Sequence, residues 1–208
     1  MSDSLNKYNP TKGIDPGKQI RDMSRYVSNL GLYKKMNVIL DSNEVTKTLR
    51  RLAHEVIENY VDLNNLVIVG IVTRGEFLAK RLHDIISQIE KVDIPFGYLD
   101  VTLYRDDLDH RKSLKQSKSS VVPNLDNKNV LVVDDVLYEG RTVRAALDAL
   151  KDFGRPNSVK LLVLVDRGHR RLPISADFIG KNISTTPKQL IKVCLSEIDN
   201  KDSIEIQQ

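Results

Sequence analysis

The sequence predicts an α/β fold with a central, mostly parallel, doubly wound sheet flanked by helices, and three observations lead there. Short apolar runs alternate with segments of helical periodicity. One such run, Leu66 to Val72, is continuously apolar, as a strand buried on both faces must be. Polar residues suited to chemistry, Thr73, Asp134 and Asp166, stand just beyond the runs, where ligands of open α/β sheets bind.

The first helix is expected from Val45, Leu49, Leu52, Val56, Ile57 and Tyr60, which recur at helical spacing behind the capping run Asp41, Ser42 and Asn43. After the Leu66 strand, Phe77, Leu78, Leu82, Ile85, Ile86 and Ile89 mark a second helix. Pro95 to Tyr104 reads as a strand and Asp106 to Lys128 as a long polar loop. A strand at Val130 to Val133 follows, then a turn with Gly140 and a helix at Thr142 to Phe153 closed by Gly154 and Pro156. Val159 to Val165 is a further strand.

Composition narrows the class. A chain of 208 residues supports one sizeable core, and residues 37–208 are expected to form it. A single cysteine, Cys194, excludes an internal disulfide framework and a cysteine metal site, and reads as a small buried apolar residue. No apolar run reaches membrane-spanning length and the first residues lack an export core, so a soluble, cytoplasmic protein without a membrane role is expected. The formal net charge of +4 resides in residues 1–36, where seven basic residues face three acidic ones. That stretch, rich in Pro and Gly with one short possible helix around Lys18 to Leu30, reads as a basic extension. The remainder is formally neutral, so any nucleic-acid site must be a local patch.

The strongest chemical signal is Val130-Leu-Val-Val-Asp-Asp-Val-Leu-Tyr-Glu-Gly-Arg-Thr142, an apolar strand ending in two carboxylates that turns through glycine into a helix. A helix N-terminus offers unpaired amides and the positive end of a dipole to a phosphate. The carboxylates can accept hydrogen bonds from two sugar hydroxyls or help hold Mg²⁺. A ribose 5-phosphate satisfies both. A second signal is the stripe Lys47, Arg50, Arg51 and His54, three or four residues apart on the first helix and opposite its apolar face. Arg167, His169, Arg170 and Arg171 form another basic cluster. Taken alone, these are a solvated helix face and an active-site loop, or a grip for an RNA hairpin.

The strand-to-helix motif resembles the phosphoribosyl pyrophosphate loop of type I phosphoribosyltransferases. Together with Gly70-Ile-Val-Thr-Arg-Gly75, Thr102-Leu-Tyr-Arg-Asp-Asp-Leu108, Val165-Asp-Arg-Gly-His-Arg170 and Ala176-Asp-Phe-Ile-Gly-Lys-Asn182, it resembles the bifunctional pyrimidine-operon attenuator and uracil phosphoribosyltransferase family, often called PyrR. The likeness runs from about Asn37 to Ser203. It implies the type I fold with a small hood and a flexible lid loop beginning at Tyr104 to Asp107. It implies uracil and phosphoribosyl pyrophosphate as substrates with Mg²⁺ carried mainly by the substrate, UMP or UTP as ligands, and a homodimer or higher homo-oligomer.

By that resemblance Thr73 and Arg74 meet the pyrophosphate with Arg105, and Asp134 and Asp135 bind the ribose hydroxyls. Val136, Leu137, Tyr138, Glu139, Gly140, Arg141 and Thr142 cradle the 5-phosphate, and Arg167 and Ile179 line the base pocket, with Tyr104 at the lid. The expected catalytic set is Asp134, Asp135 and Arg105. Lys47, Arg50, Arg51, His54, His169, Arg170 and Lys181 are the expected contacts to an mRNA leader hairpin. A purine phosphoribosyltransferase is the competing enzyme, ranked lower because purine members commonly carry Lys where Asp166 stands.

The chain departs from the family at Glu139, usually Thr, and at Arg50, Arg171 and Ser175, often Thr, Glu and Arg. A carboxylate facing a phosphate at about 5 Å would be repelled by roughly 3 kcal/mol at an effective dielectric of 20. If it turned away, only a hydroxyl bond of about 0.5–1.5 kcal/mol would be lost.

Overall fold

The fold described here is a computed structural model covering residues 36–105 and 119–207. The basic extension, its possible helix and the middle of the long loop, including Asp106 and Asp107, lie outside the described residues.

Strand β1 (Met36–Leu40) leads into helix α1 (Ser42–Asn59), and the expected capping is explicit. The Asp41 carboxylate accepts from the Glu44 amide at 2.8 Å while Glu44 accepts from the Asp41 amide at 2.9 Å, a reciprocal capping box. Strand β2 (Leu66–Ile71), helix α2 (Arg74–Glu90) and strand β3 (Phe96–Leu99) follow. Then come β4 (Asn129–Leu137), α3 (Arg141–Ala149) with a 3₁₀ turn to Phe153, β5 (Ser158–Asp166) and β6 (Phe178–Asn182). The chain continues through β7 (Leu190–Cys194), the short helix α4 (Ser196–Asp199) and β8 (Ser203–Gln207).

Five strands form one sheet in the order β3-β2-β4-β5-β6, every pairing parallel. Strand β4 is its centre, and both faces are covered. Leu66, Ile68, Leu131, Val133, Leu162 and Leu164 pack against α1 and α2. Their alternating neighbours Val67, Val69, Val130, Val132, Leu161 and Val163 pack with Val143, Ala145, Ala146 and Ala149 of α3. The continuous apolar run in β2 thus has its cause: each of its six residues is buried. Cys194 is buried and free.

Two expected strands have different bounds. The expected strand at 95–104 ends at Leu99, because the Asp100 carboxylate accepts from the Thr102 amide at 2.8 Å and the chain turns into a 3₁₀ helix at Thr102–Tyr104. The expected strand at 130–133 runs on through Leu137, since parallel pairing to β5 continues to Leu137 opposite Asp166. Asp134 and Asp135 therefore lie within the strand.

A second sheet, β1-β8-β7, was not anticipated. Strands β7 and β8 pair antiparallel from Leu190 with Gln207 to Cys194 with Ser203. The charge inside β8 concealed it. Glu205 is only 2% exposed, its carboxylate ion-paired with Lys201 and bonded by the Ser203 hydroxyl at 2.7 Å.

The turn between β2 and α2 is held close by its glycines. A Cβ on Gly75 would meet the Val133 carbonyl oxygen at 2.4 Å, and one on Gly70 would meet the Gly75 oxygen at 2.3 Å. Both contacts are to backbone, which cannot swing aside. Gly75→Ala is expected to destabilise the domain by about 1–3 kcal/mol, the usual cost of overpacking, measured as a lowered urea midpoint at unchanged m-value; an unshifted midpoint would contradict the close approach.

Candidate active site

Parallel pairing carries Asp134 and Asp135 to the carboxyl end of the central strand, and an open cleft of about 240 Å³ begins there. It is lined by Arg105, Asp134 and the residues from Val136 to Val143. Gly140, at φ 93°, makes the left-handed turn into α3, a conformation that costs glycine little. The first amides of a helix have no acceptor within it. The cleft therefore joins the amide end of a helix to the Asp134 carboxyl, with Asp135 next in the strand.

Burial raises the proton affinity of Asp134 well above the usual carboxylate range, and the neighbouring charge of Asp135 adds to the effect. Asp135 is also raised, chiefly by burial, with its bond to Asp134 and the charge of Arg74 pulling the other way. Arg105 acts similarly on Asp134. One arginine thus favours the ionised form of each carboxyl, Arg105 that of Asp134 and Arg74 that of Asp135. Each carboxylate also accepts from the next amide, Asp134 from Asp135 and Asp135 from Val136, both at 2.9 Å.

Arg105 reaches the cleft because both ends of its loop are fixed. Tyr98 and Val121 exchange two backbone bonds of 2.9 Å, and the Asp100 amide donates to the Ser120 hydroxyl at 3.0 Å. From there Arg105 donates to the Thr142 hydroxyl at 3.4 Å, at the end of the glycine turn. Tyr104 goes elsewhere: its hydroxyl donates to Asp152, and the ring is not part of the cleft wall.

Glu139, the departure from the family pattern, is neutralised in place. Its carboxylate accepts from Arg141 Nε at 3.0 Å and from Arg171 Nε at 2.8 Å. Its carbonyl accepts from the amides of Arg171 at 3.1 Å and Leu172 at 3.3 Å. Arg171, itself a departure, supplies the charge that Glu139 needs.

The loop after β5 serves as a buttress for the glycine turn. Arg170 donates to the carbonyls of Tyr138 at 2.7 Å, Ile174 at 3.0 Å, Gly168 at 3.1 Å and Leu137 at 3.3 Å, and pairs with Asp166. Arg167, 6% exposed, lies 4.0 Å over the Tyr138 ring and donates to the Gln189 carbonyl at 2.8 Å. Beside it Asp166, Gly168, Asn182, Ile183 and Ser184 line a second hollow of about 170 Å³.

The fold brings together Arg105, Asp134 and the turn from Val136 to Thr142, with Asp135 and Arg74 alongside. Thr73 is exposed at the start of α2 and its side chain makes no capping bond. Ile179 pairs with Val163, which itself stands opposite Asp134, and is half-buried against the α3-side core, while Ile183 lies beside Arg167. Of the expected RNA contacts, Lys47, Arg50, His54, His169 and Lys181 are exposed. Arg170 is engaged as described, and Arg51 pairs with Glu55 and donates to the carbonyls of Ile179 at 3.1 Å and Gly180 at 2.6 Å. Asp152, Asp199 and Gln189 were not anticipated, because each meets its arginine or tyrosine only through the fold.

Residues 35–198 match the phosphoribosyl transferase domain, the class that this sheet, its paired carboxyls and the glycine turn define. The chain is 49% identical to the bifunctional protein PyrR of Microcystis aeruginosa over 81% of this chain and 95% of that protein. It is 52% identical to that of Bacillus velezensis, over 81% and 95% respectively. This chain belongs to the PyrR family of phosphoribosyltransferases. Among solved structures it is similar in fold to a hypoxanthine phosphoribosyltransferase from Staphylococcus aureus, with a TM-score of 0.63 at 22% identity, covering 83% of this chain and 91% of that one.

Neutralisation of Glu139 has a measurable consequence for anion binding. Arg171→Ala is expected to weaken ribose 5-phosphate binding, followed by calorimetry, about 1.5- to 5-fold, the range of an exposed ion pair. Adding Glu139→Thr should restore it; if Arg171→Ala has no effect, Glu139 does not face the anion.

Proposed function

We propose that this chain transfers the phosphoribosyl group of phosphoribosyl pyrophosphate to uracil, giving UMP and pyrophosphate. The observation that carries this reading is the union, in one cleft, of Asp134 and Arg105 with the glycine turn at the start of α3, Asp135 being the next residue of the strand. The turn and the α3 amides hold the 5-phosphate, and the carboxylates accept the ribose hydroxyls. This orients the anomeric carbon toward the base. The ring nitrogen of uracil forms the new bond to that carbon as the bond to the pyrophosphate oxygen breaks, and the nitrogen releases its proton.

Arg105 and Arg74 face the side where negative charge develops on the leaving group, so they stabilise the transition state more than the ground state. Among the described residues no three carboxylate, imidazole or thiol side chains converge as a closed metal site. Asp134 and Asp135 fit Mg²⁺ only together with substrate oxygens. When bound, the ion would neutralise the pyrophosphate. The base lies by Arg167 and the hollow at the end of β6, where Asp166 takes the place that Lys occupies in many purine enzymes.

A second activity, uridine-nucleotide-dependent binding of an mRNA leader hairpin, is favoured by one surface. Lys47, Arg50 and His54 are exposed on one side of α1, and Arg51 ties that helix to β6, which carries the exposed Lys181. Phosphates on such a surface give affinity, and loop bases give sequence choice. The protein acts in the cytoplasm as a homodimer or larger assembly, with UMP or UTP reporting pyrimidine supply. No described helix is long and apolar enough to cross a membrane.

Incubation with uracil, phosphoribosyl pyrophosphate and Mg²⁺ should yield UMP, with hypoxanthine and guanine as poor substitutes; purine preference would overturn the assignment. Protonation turns one carboxylate oxygen into a donor and removes the charge that strengthens the bonds from the ribose hydroxyls, and the proton affinities of both groups are raised. Activity should therefore fall as pH drops through a value above the usual carboxylate range, an acid limb absent if Asp134 and Asp135 were ordinary surface acids. For RNA, Arg50→Ala with His54→Ala should weaken UMP-dependent hairpin retention about 10-fold or more and flatten its salt dependence. Arg51→Ala should act mainly through lost α1–β6 contact, lowering the melting temperature.

A further inference from the structure

The acidic stretch between β7 and β8 has no part in the reaction as described, yet it lies against the helix that begins at the pyrophosphate turn. Arg74 and Arg81 stand two turns apart on one face of α2, and both reach this stretch. Arg81 binds the Glu197 carboxylate through Nε at 2.8 Å and Nη2 at 2.6 Å, and its Nη2 also meets Asp202 at 2.8 Å and the Ser196 hydroxyl at 2.8 Å. Arg74 binds Asp199 through Nη2, at 3.1 and 3.3 Å to its two oxygens.

We propose that Asp199 is a positioning residue for Arg74, holding its guanidinium by one edge so that the remaining donors address the pyrophosphate beside Asp135. Three features support it. The carboxylate takes a single nitrogen of Arg74 and leaves Nε buried without a hydrogen-bond partner, a donor still to be satisfied by a substrate oxygen. The same guanidinium is near enough to Asp135 for its charge to favour the ionised carboxylate. Asp199 is itself fixed, accepting from the Leu195 amide at 3.1 Å while its own amide donates to the Leu195 carbonyl at 2.7 Å. Arg81 anchors the rest of the stretch, so Asp199 approaches Arg74 from a rigid base.

An arginine with a free end would sample many rotamers, and ordering it would fall to the substrate. Asp199 removes that cost before substrate arrives. It touches no reacting atom, and its influence passes through Arg74. This inference rests on the phosphoribosyl-transfer reading of the cleft.

The test is steady-state kinetics of UMP formation in the full chain, with phosphoribosyl pyrophosphate and uracil varied separately. Asp199→Asn keeps an oxygen for the Leu195 amide but removes the charge. It is expected to raise the KM for phosphoribosyl pyrophosphate roughly tenfold, the scale of coupling between contacting residues, leaving the KM for uracil within about twofold. Asp199→Glu should recover part of the loss. In an Arg74→Ala background, Asp199→Asn should have no further effect. Glu197→Gln, which loosens only the Arg81 end, should lower the melting temperature without changing either KM. If the native chain makes UMP and Asp199→Asn leaves the phosphoribosyl pyrophosphate KM unchanged, or lowers it because Arg74 was being withheld, the positioning role is overturned. The same follows if its effect persists without Arg74. A native chain that makes no UMP would instead remove the transfer reading itself.

Discussion

Strand β4 is the constraint on which the molecule depends. It pairs in parallel with β2 on one side and β5 on the other, and helices cover both faces, so its backbone has almost no freedom. Two carboxyls at its end are therefore carried to a fixed point with their solvation largely removed. Desolvation makes both harder to ionise, and the arginines around them offset part of that penalty. Burial of the strand and the chemistry at its end are the same physical fact seen from two ends.

Around that point the structure is organised by arginines held by acidic and carbonyl partners. Arg74 leans on Asp199, Arg171 and Arg141 on Glu139, and Arg170 on Asp166 and a ring of carbonyls. Planar guanidinium groups can hold one partner and present remaining donors elsewhere, which a lysine cannot do in a fixed plane. The result is a site whose cations are oriented before any anion enters. The exchange at Glu139 and Arg171 fits this scheme, because a negative charge placed in the phosphate turn is accompanied by a positive charge from the facing loop.

The loop after β5 changes meaning once its contacts are known. As a string of residues, Arg167, His169, Arg170 and Arg171 is a basic patch; in the fold, Arg167 lies under a tyrosine ring and Arg170 is bonded to the phosphate turn. His169 remains exposed, its ring nitrogen 2.6 Å from the Thr185 carbonyl. A surface for RNA built on this loop would be linked mechanically to the nucleotide pocket.

The sequence by itself determined the parallel α/β class, the helix α1 with its capping box, and the motif uniting Asp134, Asp135 and Gly140. Those features are local, set by periodicity and by residues within a few positions of one another. It also marked Arg105, Arg167 and Glu139, through their place in motifs. Only the tertiary structure decided the second sheet, the turning of Tyr104 toward Asp152, and the pairing of Arg74 with Asp199. Each depends on chain segments far apart in sequence, and neither periodicity nor spacing encodes which charge will meet which across a folded sheet.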